Sequence, residues 1–101
     1  CADQEDYVAM GYNAAKKAGR VADKLEYVLA IELLSAYQAH QFVDRQLSPG
    51  TVTQAVLARI ARQVPSIEED IYLYPPIQSL RELIHSGEMI RLAEEKMGPL
   101  M

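Results

Sequence analysis

The sequence predicts an all-α protein: long antiparallel helices that belong to a larger helical bundle, followed by short C-terminal helices. Three observations carry this. Ala, Leu, Glu, Gln, Arg and Lys are abundant, and these residues lose little on entering a helix. β-Branched residues rarely alternate with polar ones over the period of two that a half-buried strand needs, and apolar residues recur at helical spacing instead. The densest apolar stretch, Val28 to Ala39, is apolar nearly all round, so it must be buried nearly all round.

The first helix runs from about Gln4 to Ala18, with Val8, Met10, Tyr12, Ala15 and Ala18 as its apolar positions and Asp3 as N-cap. Glu5 and Asp6 in its first turn complement the helix dipole, and Gly19 marks a break or kink. A second helix spans Arg20 to Asp44. Val21, Leu25, Val28, Leu29, Glu32, Leu33, Ala36 and Tyr37 lie along one side, and Ala30, Ile31 and Leu34 fill much of the other. At roughly 37 Å it is too long for a compact domain of ~13 Å radius of gyration to cover. Covering must come from outside this chain.

Ser48-Pro49 reads as N-cap and first residue of a helix that continues to Gln63, with Val52, Val56, Leu57 and Ile60 on one face and Arg59 and Arg62 away from it. Val64-Pro65 ends it. Ser66 and Glu69 form the pattern of a capping box, so a short helical turn is expected there. The segment Tyr72-Leu73-Tyr74-Pro75-Pro76 should be extended. Helix resumes from Ile77 to His85, is interrupted at Ser86-Gly87, and returns from Glu88 to Lys96 before Gly98-Pro99 stops it. With no internal repeat and no low-complexity linker, residues 1–101 read as a single helical segment.

Composition narrows function. Fourteen acidic against 10 basic side chains leave a net charge of -4. Without a basic run there is nothing to neutralise phosphates, so nucleic acid is excluded as a partner. Val28–Ala39, interrupted by Glu32 and Gln38, falls far short of the ~20 clean apolar residues of a bilayer span, which excludes membrane insertion and makes a cytoplasmic protein the expectation. The single cysteine, Cys1, has no disulfide partner and no neighbouring His to activate it. The first residue is Cys rather than Met, as expected for part of a longer polypeptide.

Few residues could carry chemistry. His40 and His85 stand about forty-five positions apart with no ligand-spaced neighbour, so no metal site is expected and both read as surface or interface histidines. Glu68-Glu69-Asp70 is dense enough for catalysis or a metal, but helix-start capping explains it more simply. Glu32 sits inside an apolar run. Buried there it needs an Arg, Lys or Tyr-hydroxyl partner, which can come from another chain.

Gln4-Glu5-Asp6-Tyr7-Val8-Ala9-Met10-Gly11 is similar to the Q-E-D-H-V-S-M-G signature in the C-terminal third of histidine ammonia-lyases, of the aromatic amino-acid lyase family. Leu29-Ala30-Ile31-Glu32-Leu33-Leu34 with Ala36-Tyr37-Gln38-Ala39 resembles that family's L-A-I-E-L-L-x-A-x-Q-A helix. Val64-Pro65 through Glu68-Glu69-Asp70, Tyr72-Leu73 and Pro76-Ile77 resembles its V-P-x-x-E-E-D-R-Y-L-x-P-D-I segment. All three blocks agree in order and spacing.

The resemblance implies the C-terminal part of an enzyme of histidine catabolism that removes ammonia from L-histidine to give trans-urocanate. It further implies a homotetramer whose active sites combine several subunits, with the rest of the lyase subunit and a small amino-acid substrate as partners. The family's electrophile, 4-methylideneimidazole-5-one, forms from an Ala-Ser-Gly triplet. That triplet is not in this sequence, so the group is expected in the N-terminal part and the chain should be inactive alone. Glu5 matches the family's active-site acid and takes the catalytic and substrate-binding role by that match, with Gln4 as its substrate-binding neighbour. A carboxylate there can accept the imidazole N–H or handle a proton, whereas phenylalanine and tyrosine lyases carry Gln. Tyr7, Ala9 and Asp3 stand where the family has His, Ser and Asn, which keeps a phenylalanine or tyrosine lyase or an aminomutase as the alternative substrate reading. A non-enzymatic helical oligomerisation or interaction module is the alternative from another class.

Overall fold

A computed structural model describes residues 2–43 and 46–100, with side chains described for 10–43 and 46–100. The elements are α1 (Ala2–His40), α2 (Thr51–Ala61), α3 (Tyr74–Ser86) and α4 (Glu88–Met97). Among the described residues all regular structure is helical, and only α1 is long.

α1 is one uninterrupted helix of 39 residues, roughly 58 Å at 1.5 Å per residue. The two helices expected on either side of Gly19 are therefore a single element. A glycine inside a helix costs only about 1 kcal/mol relative to alanine, and breaking the hydrogen-bond ladder would cost more. Asp3 likewise lies within the helix instead of capping it. The expected end at Asp44 falls outside the described residues. The described helix ends at His40, where the N–H groups of Gln41, Phe42 and Val43 donate to carbonyls three residues back at 3.1, 3.1 and 3.2 Å.

The radius of gyration is 18.9 Å and the principal extents are 69 × 38 × 18 Å, against the ~13 Å radius of a compact domain of this length. Burial explains the shape. Every residue from Met10 to Leu25 is exposed, so the first half of α1 projects as an arm from a body built on its second half. In that body Ala30, Leu34 and Tyr37, spaced to share one face of α1, pack with Ile60 and Val64 at the end of α2 and Leu80 and Leu83 of α3. Leu33, Val56, Leu57, Ile67, Ile77, Ile84 and Met89 close around this core.

Local chemistry sets the other boundaries. α2 is capped by Gly50 without a side-chain bond, so Ser48 is not its N-cap; the Gln54 N–H reaches the Gly50 carbonyl at 2.8 Å. Val64, fully buried, closes the helix by donating to Ile60 O at 2.9 Å before Pro65. The expected capping box at Ser66 does not form and no helix follows it. Instead the Gln38 side chain engages the backbone of Ile67 at both ends: its amide nitrogen donates to the Ile67 carbonyl, and its oxygen accepts the Ile67 N–H at 3.3 Å. Those bonds to α1 and the partial burial of Ile67 hold the segment irregular.

α3 begins at Tyr74, three residues before the expected start, with both prolines in its first turn where no N–H is needed. Gly87, at φ 77°, ends α3 in the left-handed conformation and at once caps α4. Ser86 Oγ supports this corner, donating to Leu83 O at 2.8 Å and accepting the Glu88 N–H at 3.2 Å. Among the described residues no helix is long and apolar enough to cross a membrane.

Candidate functional site

Gln4 and Glu5, the two residues singled out by sequence, lie in the first turns of α1; their side chains are outside the described ones. Their position along the helix is nevertheless decisive. Glu5 precedes Ala30, the first core residue of α1, by 25 positions, or roughly 38 Å along the axis. Counting from that end, Asp23 is the first described residue of α1 with an ion pair to another element. The backbone at Glu5 thus stands at the tip of the arm, remote from α2, α3 and α4. A site there has to be closed by further polypeptide.

The root of the arm is held by charge. Glu26 lies between two side chains of α3, with His85 Nδ1 at 2.8 Å and Arg81 Nε at 3.0 Å, and Asp23 adds a longer contact to Arg81 at 3.8 Å. Arg81 Nε is buried and its N–H is poorly aligned with the Glu26 oxygen, so charge attraction dominates that contact. The hydrogen bond from His85, followed by the charges of His85 and Arg81, holds the Glu26 carboxyl below its ordinary value against the opposing effect of desolvation. Tyr27 Oη donates to Gln78 Oε1 at 2.7 Å while its ring lies 5.4 Å from the Arg81 guanidinium, a cation–π contact.

A second cluster ties α2 to α3 and α4. Arg59 grips Glu88 through two bonds, at 2.7 and 3.1 Å, and also donates to Gln63 Oε1 at 2.7 Å. Gln63 in turn donates to Ser79 Oγ at 2.7 Å. Arg59 accordingly holds the Glu88 carboxyl low, and Glu88 raises the Arg59 guanidinium. Sequence reading missed both clusters. The signal for the first was present in the i, i+4 pair Arg81 and His85 and the i, i+3 pair Asp23 and Glu26, but which helix faced which was not.

The remaining candidates separate. Glu32 is exposed, not buried, and has no ion pair among the described residues; the apolar run around it turns its core face, Ala30 and Leu34, to the other side. Glu68, Glu69 and Asp70 are exposed in the irregular segment and start no helix. His40 is half-buried beside α2, and His85 pairs with Glu26. Cys1 lies outside the described residues. Among the described residues no three His, Cys, Asp or Glu side chains converge as a metal site would require. An apolar groove of about 430 Å³ runs between α1 and the α3–α4 corner, lined by Leu29, Leu33, Ala36, Ile84, Met89 and Ile90 with Glu32 at its edge.

Residues 1–62 match the family model described as aromatic amino acid lyase. A histidine ammonia-lyase of Symbiobacterium thermophilum is 45% identical over 100 residues, covering 98% of this chain and 19% of the relative. Histidine ammonia-lyases of Sorangium cellulosum, 42% identical over 98% of this chain and 19% of its own length, and of Deinococcus radiodurans, 39% identical over 92% and 17%, are similar in the same way. The chain thus spans about a fifth of the length of the curated relatives it matches. No solved structure matches.

Proposed function

The chain belongs to the aromatic amino acid lyase family, and on that premise we propose that it is the C-terminal part of a cytoplasmic ammonia-lyase subunit that converts L-histidine to trans-urocanate. Its contribution is Glu5, held at the tip of α1, together with helices that build the oligomer, a homotetramer. The observation that carries this reading is the separation of the Glu5 position from its own core by some 25 helical residues. A helix built this way delivers a residue into a site made by other polypeptide. Identity of 45% to a protein named histidine ammonia-lyase supports histidine as the substrate.

In this reading the Glu5 carboxylate accepts the imidazole N–H of the substrate or takes up a proton during elimination, and Gln4 orients the same ring. The family's electrophile does not fit this chain, because no Ala-Ser-Gly triplet is present to form it. It has to be supplied by the remainder of the subunit.

Joining this chain to the missing remainder of the subunit and following urocanate formation tests the proposal. Glu5→Gln in the whole enzyme should lower turnover about 10²–10⁴-fold with the oligomer unchanged. Near-normal turnover would reduce Glu5 to a helix-start residue. The exposed apolar side chains along α1, Val21, Leu25 and Val28 among them, favour a second reading, a helical interaction module without catalysis. Absence of deamination by the correctly folded whole protein would decide for it.

A further inference from the structure

α1 is anchored along its second half, and the Glu5 position stands at the far end of the other. Leverage therefore sets how closely Glu5 is placed. The core residues of α1 run from Ala30 to Tyr37, a footing of roughly 10 Å, whereas Glu5 lies roughly 48 Å from Tyr37. Sideways play at Ala30 is thus magnified about 4.6-fold at Glu5. Arg81 of α3 lengthens the footing. It meets three residues at the root of the arm: its Nε lies 3.0 Å from Glu26, its Nη2 3.8 Å from Asp23, and its guanidinium 5.4 Å from the Tyr27 ring centre. His85 pairs with Glu26 and Gln78 with Tyr27, so Arg81 is the side chain that ties these contacts together. At 22% exposure its charge is screened less than that of an open surface pair. With the first anchor at Glu26 the footing is roughly 16 Å and the magnification about 2.9-fold. An ordinary thermal displacement of about 0.5 Å then moves the Glu5 backbone about 1.5 Å instead of about 2.3 Å. That difference matters, since a misplacement of ~1 Å can cost ~10²-fold in rate.

We propose that Arg81 is a positioning residue: through Glu26, Tyr27 and Asp23 it fixes the direction of the α1 arm and so places Glu5 for the reaction. Arg81 lies on α3, in the body, remote from the tip of the arm. Its effect on turnover therefore passes along α1. The inference rests on the lyase reading and adds to its site a residue 76 positions away in sequence.

The test is a double-mutant cycle in the whole enzyme, following urocanate formation from L-histidine by the native protein, Arg81→Gln, Glu5→Gln and the two combined. Arg81→Gln should lower kcat/KM about tenfold while circular dichroism and light scattering stay native. In the Glu5→Gln background the same change should cost less than about twofold, because no carboxylate is left to misplace. Arg81→Lys, which keeps a cation beside Glu26, should recover most of the loss. An equal loss in both backgrounds would make Arg81 a packing residue and overturn the proposal, as would native turnover by a folded Arg81→Gln. Should Arg81→Gln fail to fold, Glu26→Gln removes the same contact from the other side and takes its place in the cycle, with the same background dependence expected and the same overturning result. Absence of deamination by the native whole protein removes the lyase reading and this inference with it; deamination with a background-independent loss removes this inference alone.

Discussion

Replacing Leu80 by alanine tests the described core at one of its fully buried side chains. Leu80 of α3 is fully buried in the cluster that also holds Ala30 and Leu34 of α1, Ile60 of α2 and Val64. Truncation removes three carbons, and at ~0.8 kcal/mol each the lost transfer free energy is about 2.4 kcal/mol. The cluster draws its members from α1, α2 and α3, so the site cannot collapse fully and a cavity remains. The total loss is expected at about 3–4 kcal/mol, a large share of the ~5–15 kcal/mol that holds a domain together. Urea unfolding followed by helical circular dichroism should show the midpoint falling with the slope unchanged. Phe42→Ala is the comparison: it deletes a larger side chain, but one that is 84% exposed, and should alter stability by no more than ~0.5 kcal/mol. Equal shifts for the two variants would refute the packing described here.

Two further outcomes follow from the structure. Because contacts with His85 and Arg81 lower the Glu26 carboxyl from its ordinary value, its stabilising contribution is complete above that ordinary value and is lost as pH falls through the lower folded one. Urea midpoints of the native chain should therefore lie above those of Glu26→Gln near neutrality, and the gap should close on acidification; a constant gap would show that Glu26 acts by packing alone. Two glycines should answer alanine with opposite signs. Gly19→Ala, in a helical site where the added methyl meets nothing within 4 Å beyond its chain neighbours and the helix's own backbone, should raise stability by about 1 kcal/mol. Gly87→Ala also has room, with Arg91 at 3.7 Å, but at φ +77° it should lower stability by about 1–2 kcal/mol.

The helical class, the stops at Val64-Pro65 and Gly98-Pro99, and the α3–α4 corner at Ser86-Gly87 were legible because each rests on local covalent geometry: proline's missing N–H, or glycine's access to positive φ. The failures are equally physical. Gly19 was read as a break because propensity was weighed without the ladder on either side of it. Ser66 and Glu69 had the letters of a capping box, but Gln38, 29 positions away from Ile67, claimed that segment's backbone first. Glu32 was read as buried since Ala30, Leu33 and Leu34 surround it in sequence. A helix has more than one side, and the core took another.

Residue type and spacing alone established that this chain is helical and that residues 1–62 carry the family pattern of an aromatic amino acid lyase. These are properties of residue type and spacing, and they survive whatever the chain folds against. Tertiary packing alone sets which face of α1 enters the core, that among the described residues Glu26 and not Glu32 meets Arg81 and His85, and that the Glu5 position stands far out on an arm. Those depend on which helices meet, a choice made by packing between residues distant in sequence that no local pattern encodes.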